Sequence, residues 1–325
     1  MEYLTKDMTK KEIAVILSFY DGMRFISEQV NSILSQNISD DMHLTLYIRN
    51  DQENPEESIL NFLNKIQEIP NVEVIPTSGK NLGVQSSFFE LLQYAEADYY
   101  FFSDQDDIWM NDKIEQIMNV FKANEQQDDA KSILVYSDVQ LVDENGIDLE
   151  IQFEDIVPDR QKNSFDHRVF YDNVTGATMA INRKLRDLTI RIEPDQFKFV
   201  HMHDSAIAQL GSLSGNVVYL PKKLMKYRQH DRNTIGMGQN RPFKYSLANL
   251  REKVQYYFNH LNQAELMIKT LDKSELTFKN SNLLDLIVSE DRQSFFSRLN
   301  NGYKLSKYVN GFLNKTIVVI LKCKN

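Results

Sequence analysis

The stretch DYYFFSDQDDIW, Asp98 to Trp109, sets an apolar run directly against three carboxylates, Asp104, Asp106 and Asp107. The run has the length and aromatic content of a buried strand. Acidic residues rarely follow such a strand closely unless something occupies them, because like charges repel and burial penalises each one. Asp104 and Asp106 are one residue apart, so an extended backbone turns both to the same side. Hard carboxylate oxygens in that arrangement suit Mg²⁺ or Mn²⁺, ions that keep waters and share phosphate oxygens. The competing reading is a solvated turn with Asp107 or Asn111 capping the next helix.

Upstream, the pattern alternates. EIAVILSFY (Glu12–Tyr20), HLTLYIRND (His43–Asp51) and VEVIPT (Val72–Thr77) read as strands. RFISEQVNSILSQ (Arg24–Gln36), EESILNFLNKIQEI (Glu56–Ile69) and VQSSFFELLQYA (Val84–Ala95) carry apolar residues at helical spacing. With the Asp98 strand this β-α-β-α-β-α-β order predicts a parallel sheet covered by helices on both faces. Ligands of such sheets bind beyond the carboxyl ends of the strands. Ser18 to Asp21, Asn50 to Asp51 and Asp104 to Asp107 all fall there. Past Trp109 the order is mixed. KIEQIMNVFKAN is a helix, SILVYSDVQLVD and NVVYLPKKLMKYRQH are strand-pair candidates, and TGATMAINRKL is a strand running into a helix. HDSAIAQLGSL reads as a helix begun by Asp204, and from Arg241 the pattern is mostly helical.

The 325 residues are 42% hydrophobic, enough for a substantial core, and the net charge of −9 argues against nucleic acid as a partner. A single cysteine, Cys323, excludes an internal disulfide and any cysteine-based zinc site. The N-terminus has no apolar core or small-residue cleavage site, and no apolar run reaches membrane-spanning length, so a cytoplasmic location is expected. Seven basic and no acidic residues lie between Arg292 and Lys324, leaving 30 basic against 46 acidic elsewhere. There is no G-x-G-x-x-G after the first strand and no P-loop signature. Dinucleotide redox chemistry and P-loop hydrolysis therefore lose their support. GKNLG (Gly79–Gly83) is too short for a phosphate cradle. FVHMHDSAIAQL (Phe199–Leu210) offers Asp204 as a helix cap or a general base, flanked by His201 and His203. Those histidines, at i and i+2, are weak metal-ligand candidates without a third ligand nearby. KYRQHDRNTIG (Lys226–Gly236) holds Arg228, His230 and Arg232, groups that grip phosphate.

Taken in order, VILSFYDGMRFISEQVNSILSQ, GKNLGVQSSFFELL, FFSDQDDIW, TGATMAINRKL, HMHDSAIAQL and YRQHDRNTIG resemble the inverting glycosyltransferases of family 2 with the GT-A fold. The resemblance runs over roughly residues 11–238 and is narrowest to the bacterial, rhamnosyltransferase-like branch that builds surface polysaccharides and glycoprotein glycans. It implies a Rossmann-like mixed sheet flanked by helices, with a catalytic domain over 1–240 and a helical extension over 241–325. A nucleotide-sugar half would occupy about 10–110 and an acceptor half 111–240. It implies Ser18 and Tyr20 at the nucleobase, Asp51 at the base or ribose, and Asn81 and Gly83 on the donor side. Asp104 and Asp106, with His230, would meet Mn²⁺ or Mg²⁺ and the sugar diphosphate, Asp204 would be the catalytic base, and Gly176 and Ala177 would line the acceptor pocket. The chain departs from the family at RNDQE, with Asn50 in the first acidic position and Gln52 in place of glycine.

The expected reaction is a single inverting displacement. Arg228, Arg232, His230 and a metal held by Asp106 would stabilise the departing diphosphate while Asp204 takes the acceptor hydroxyl's proton. The donor would be a UDP-hexose or dTDP-rhamnose, and the acceptor a lipid-linked or protein-linked glycan. A metal-dependent nucleotidyltransferase and a non-catalytic partner subunit are the alternatives. The basic C-terminal segment, with Phe312, Leu313 and Ile317 to Leu321 among its lysines, either lies on an anionic membrane surface or packs as a helix on the catalytic domain.

Overall fold

The computed structural model describes residues 10–128, 130–230, 247–288 and 295–324. Its first half alternates as the periodicity predicts. The order is β1 (Lys11–Phe19), α1 (Ile26–Leu34), β2 (Met42–Asn50), α2 (Glu57–Gln67), β3 (Val72–Val74), α3 (Gly83–Tyr94) and β4 (Tyr99–Ser103). β1 pairs in parallel with β2 and with β4, and β2 with β3. Alternation along β1 divides the core. Ala14 and Ile16 face one apolar cluster, while Ile13, Val15 and Leu17 face the other. The second cluster is covered by α1 and α2 through Ile26, Val30, Ile33, Ile59 and Leu63. The first is covered by α3 through Phe88, Phe89, Leu91 and Leu92.

The second half completes an eight-stranded sheet. Its elements are β5 (Ile108–Trp109), α4 (Lys113–Glu125), β6 (Ser132–Val142), α5 (Phe165–Arg168), β7 (Met179–Asn182), α6 (Arg183–Thr189), α7 (His203–Ser214) and β8 (Gly215–Arg228). The strand order is β3-β2-β1-β4-β7-β6-β8-β5. β7 runs antiparallel to both β4 and β6, β6 and β8 are parallel, and β5 is antiparallel to β8. The mixed sheet flanked by helices is the expected class. Two local expectations are corrected. SILVYSDVQLV is one strand of 11 residues and GNVVYLPKKLMKYR one of 14, not two pairs. Pro221 lies within the second. Pairing passes from Ser137↔Leu220 to Asp138↔Lys223, so Pro221 and Lys222 bulge out of the ladder. Proline has no N–H to give, and a bulge accommodates it without ending the strand.

Among the described residues four helices follow: α8 (Leu247–Thr270), α9 (Ser281–Ile287), α10 (Phe295–Leu305) and α11 (Phe312–Lys324). They pack into the same apolar cluster as α3, α6 and α7, through Tyr257, Met267, Leu283, Leu305 and Val318 among others. On α11, Ile317, Val318 and Leu321 are buried, whereas Phe312 is 88% exposed. A Cβ on Gly302 of α10 would come within 2.9 Å of the Val319 backbone, so these two helices cross closely because glycine stands there. Among the described residues no helix is long and apolar enough to cross a membrane.

Candidate active site

At the carboxyl ends of β1, β2 and β4 the sheet opens into a cavity of about 840 Å³. Ser18, Tyr20, Asp51, Asn81, Gly83, Asp104, Asp106, Gly176, Asp204 and His230 all line it. The structure thus gathers most of the residues singled out in the sequence, although they lie up to 212 positions apart between Ser18 and His230.

The donor-side wall is tied together by side chains. The Ser18 and Ser87 hydroxyls lie 2.7 Å apart, joining β1 to α3. Asp51 is buried, and its two oxygens accept from the N–H groups of Leu82 (2.8 Å) and Gly83 (3.0 Å). It also pairs with the buried guanidinium of Arg49, which reaches Glu90 at 2.7 Å. A carboxylate therefore already occupies the start of α3, where the unpaired N–H groups and the helix dipole favour negative charge. Asn81 accepts from the Gly83 N–H at 3.0 Å, and Gly83 takes a φ of +78°, which glycine adopts without strain.

The acidic loop is held at both ends. Gln105 accepts from the Tyr20 N–H at 2.7 Å and donates to the Tyr20 carbonyl at 2.6 Å, closing the β1 end onto the loop. From the α1 side Gln29 donates to Ser103 Oγ at 2.7 Å, and the Trp109 N–H donates to Ser32 Oγ at 3.0 Å. The pairing of β5 with β8 brings Arg228 and His230 beside the aspartates. Asp106 Oδ2 lies 2.7 Å from His230 Nε2, and the His230 ring stacks on Phe25 at 5.4 Å. Asp104 lines the same cavity. Burial, then Asp106 and Asp204, push its carboxyl up to about 7. Asp104, Asp106 and His230 do not converge to within 4.8 Å of one another as they stand; among the described residues one His/Asp/Glu trio does, Asp172, His201 and His260.

Three expectations need correction. Neither Asp107 nor Asn111 caps α4, which starts at Lys113 after Asp112. Asp107 is buried instead and accepts from the Arg228 N–H at 3.1 Å, and burial followed by its acidic neighbours holds its carboxyl well above the usual range. Arg228 does not line the cavity. Its guanidinium donates to the Asp106 carbonyl (2.8 Å), the Glu144 carbonyl (2.7 Å) and Glu28 Oε2 (2.6 Å), and sits 4.6 Å from the centre of the Phe25 ring. It is a positioning residue for the acidic loop, because a strand-end arginine that is 2% exposed must satisfy its charge internally. Asp204 is not the cap of α7, whose preceding residue is Met202; it is the second helical residue. Arg232 lies outside the described residues.

Asp204 lines the same cavity and is buried, with Oδ1 accepting from the Ser205 N–H (2.7 Å) and Oδ2 from the Gly176 N–H (2.9 Å). Burial and, second, Asp172 push its carboxyl up to about 7, against the pull of those N–H groups. The turn at Gly176 and Ala177 meets Asp204 directly, and a Cβ on Gly176 would come within 2.8 Å of His203 Nε2.

One residue of the site was not anticipated, Lys113, and another, His203, was singled out only as a weak metal-ligand candidate. Lys113 is fully buried behind the acidic loop, donating to the Ala177 carbonyl at 2.7 Å and lying 3.9 Å from the centre of the Trp109 ring. Burial lowers its ammonium to about 7, although Asp107 and Asp104 oppose that. The sign was available: Lys113 continues the apolar stripe of Ile117 and Phe121. His203 lines the cavity between Phe88 (4.3 Å) and Phe102 (5.8 Å), with both ring nitrogens buried and unpartnered. Burial lowers its imidazole to about 3, so it is neutral throughout the ordinary pH range. His201 and His203 therefore do not act together; they diverge at the start of α7.

A family model described as glycosyl transferase family 2 matches residues 14–189. The chain is 24% identical over 248 residues to the dTDP-rhamnosyl transferase RfbG of Shigella flexneri, covering 72% of this chain and 78% of that protein. It is 25% identical over 307 residues to an uncharacterized glycosyltransferase of Haemophilus influenzae, covering 88% and 89%. Among solved structures, S. aureus TarS 1-349 in complex with UDP-GlcNAc superposes with a TM-score of 0.55 at 12% identity, over 96% of this chain and 89% of that one. The longer S. aureus TarS gives 0.57 at 12% identity, over 97% and 53%. At that identity the likeness concerns the fold.

Proposed function

Because this chain belongs to glycosyl transferase family 2, we propose that it moves a hexose or deoxyhexose from a nucleotide sugar to an acceptor hydroxyl of a bacterial surface glycan, inverting the anomeric centre. The observation that carries the reading is that Asp104, Asp106 and Asp204 line one cavity of about 840 Å³.

Asp204 acts as the general base. Its two backbone donors fix the carboxylate, and a value near 7 matches proton transfer from a hydroxyl better than an ordinary aspartate would. Attack then comes from the side opposite the leaving diphosphate. No second carboxylate is needed as a nucleophile, since one displacement completes the transfer.

Asp104, Asp106 and His230 would hold Mn²⁺ or Mg²⁺. The fit rests on the donor set: two carboxylates and an imidazole line one cavity, with Asp106 Oδ2 2.7 Å from His230 Nε2, and burial followed by Asp106 and Asp204 pushes the Asp104 carboxyl up, a penalty that a cation would offset. When bound, the ion supplies Lewis-acid neutralisation of the charge growing on the diphosphate. Arg228 keeps the loop in place through the Asp106 carbonyl, and Phe25 carries the His230 ring. Ser18, Tyr20 and Asn81 form the nucleoside end. Asp51 supports the same wall by fastening the start of α3.

RfbG, a relative matched over most of both chains, makes a dTDP-linked deoxysugar the first donor to try. The acceptor is a lipid-linked or protein-linked glycan. Incubation with dTDP-rhamnose, UDP-glucose, UDP-galactose and UDP-GlcNAc plus Mn²⁺ should raise the melting temperature with one of them, since a ligand of the folded state stabilises by mass action. The same donor should be turned over slowly to free nucleotide. No shift and no hydrolysis with any nucleotide sugar would overturn the reading.

A further inference from the structure

We propose that Asp172, His201 and His260 form a second divalent-cation site, for an ion of the Zn²⁺ type, that ties α8 to the segment leading into Asp204. The three come from separate places: the loop after α5, the loop before α7, and the middle of α8. Their ligand atoms lie within 4.8 Å of one another. The site shares no residue with the Asp104–Asp106 loop, and its existence does not depend on the transfer reaction.

The hydrogen bonding of His260 carries the argument. Its Nδ1 lies 2.9 Å from the Tyr256 carbonyl, which only accepts, so Nδ1 bears the proton. A neutral ring therefore turns the Nε2 lone pair toward Asp172 Oδ2, 2.8 Å away. Two lone pairs at that distance need either a shared hydrogen, on Nε2 or on the carboxyl, or a metal ion bound to both from one side. An N–H bonded to a carbonyl on the far nitrogen is also the arrangement that orients a metal-binding imidazole. His201 brings its ring to 5.1 Å from that of His260, and among the described residues the protein supplies no hydrogen bond to its ring nitrogens. A proton satisfies the Asp172–His260 pair but leaves His201 with no role; an ion engages all three.

The surroundings are built as well. Gln263, one turn along α8 and fully buried, accepts from the His201 N–H at 2.8 Å and donates to Ser205 Oγ at 3.0 Å. Gln85 of α3 donates to the His201 carbonyl at 2.9 Å. The backbone on both sides of His201 is thus pinned, so its ring needs little ordering to bind. The Tyr256 ring packs at 4.0 Å from His260 and walls one side. The Asp172 side chain is 31% exposed, which leaves a way in and a position for water. Two imidazole nitrogens and one carboxylate favour Zn²⁺ over Mg²⁺ or Ca²⁺, which prefer oxygen throughout.

The test is Zn²⁺ binding by equilibrium dialysis on the full chain carrying Asp106→Asn, so that the acidic loop does not contribute. One equivalent should bind, and Co²⁺ in its place should give the visible absorption of a site with nitrogen ligands. Adding Asp172→Asn, close in shape and at a partly exposed position, should weaken binding by more than the roughly 10–100-fold attributed to outer-shell partners. His201→Gln should do the same and serves as the second variant if the first fails to fold by circular dichroism. No Zn²⁺ bound at micromolar concentrations, or undiminished binding in either folded variant, would overturn the site and leave His260 as a hydrogen-bonded partner of Asp172.

Discussion

Asp104 and Asp204 are carboxyls lining one cavity, and both are pushed up to about 7. Each holds a proton more tightly in the folded chain than in the unfolded one. Each therefore contributes stability that is complete below the ordinary aspartate value of about 3.9 and is withdrawn as pH rises through about 7. Melting temperature in EDTA should fall between pH 5 and 8, and Mn²⁺ should flatten that fall. Asp104→Asn removes one of the two charges, so it should melt higher than the parent at pH 8 in EDTA while losing most transfer activity. A variant that melts lower, or keeps its activity, would mean that Asp104 is an ordinary structural carboxylate. For Asp204 the same value acts on rate. The base works when ionised, so kcat/KM should rise with pH through about 7 and then level. Asp204→Asn should abolish that limb and lower turnover by about 10²-fold or more while donor affinity stays. Loss of donor affinity with unchanged turnover would place Asp204 at the donor instead.

Elements follow from periodicity where burial is one-sided or complete, and β1, α1, β2, α2 and α3 begin and end within a few residues of where their patterns do. β8 reads as a strand pair in sequence, whereas Pro221 sits in a bulge of one strand; only its partner β6 reveals this. The C-terminal helix shows the same limit. Its mixture of lysines and apolar residues is compatible with a membrane surface or a protein core. In the fold, Ile317, Val318 and Leu321 point into the core shared with α8, and Lys322 donates to the Ile287 carbonyl at 2.9 Å. Three buried aliphatic side chains contribute about 1.5–3 kcal/mol each, comparable with the whole stability of many domains. A chain ending near residue 291 should consequently melt far lower or fail to fold. If the truncated chain keeps its melting temperature while the full chain sediments with anionic vesicles, the helix belongs to a membrane surface after all.

Across the whole molecule, the cavity was legible where a motif sits at a strand end. Asp104, Asp106 and Asp204 announce themselves by type and placement. Lys113 and the Arg49–Glu90 pair did not, because each acquires its partner only on folding, from a position tens of residues away, and His203 was legible as a weak metal ligand but not as a ring buried between Phe88 and Phe102. The identity of Arg228's partners was hidden for the same reason: a guanidinium beside an acidic loop looks alike in sequence whether it faces substrate or the loop's own backbone. The double hydrogen bond between Gln105 and the Tyr20 backbone has a further consequence. It makes the order of assembly matter. If Tyr20 meets the nucleoside and the two aspartates flanking Gln105 meet the ion, as proposed, whatever quiets Tyr20 also quiets those aspartates, so the two ligands should be cooperative and by linkage each should strengthen the other equally. A nucleoside without phosphates, unable to touch the ion, should still tighten Mn²⁺ binding, toward the low end of the roughly 5–150-fold range of such couplings. In Gln105→Ala the factor should fall to one, so that either ligand arrives as though the other were absent; equal Mn²⁺ affinities with and without nucleoside in the parent would reduce Gln105 to a loop fastener.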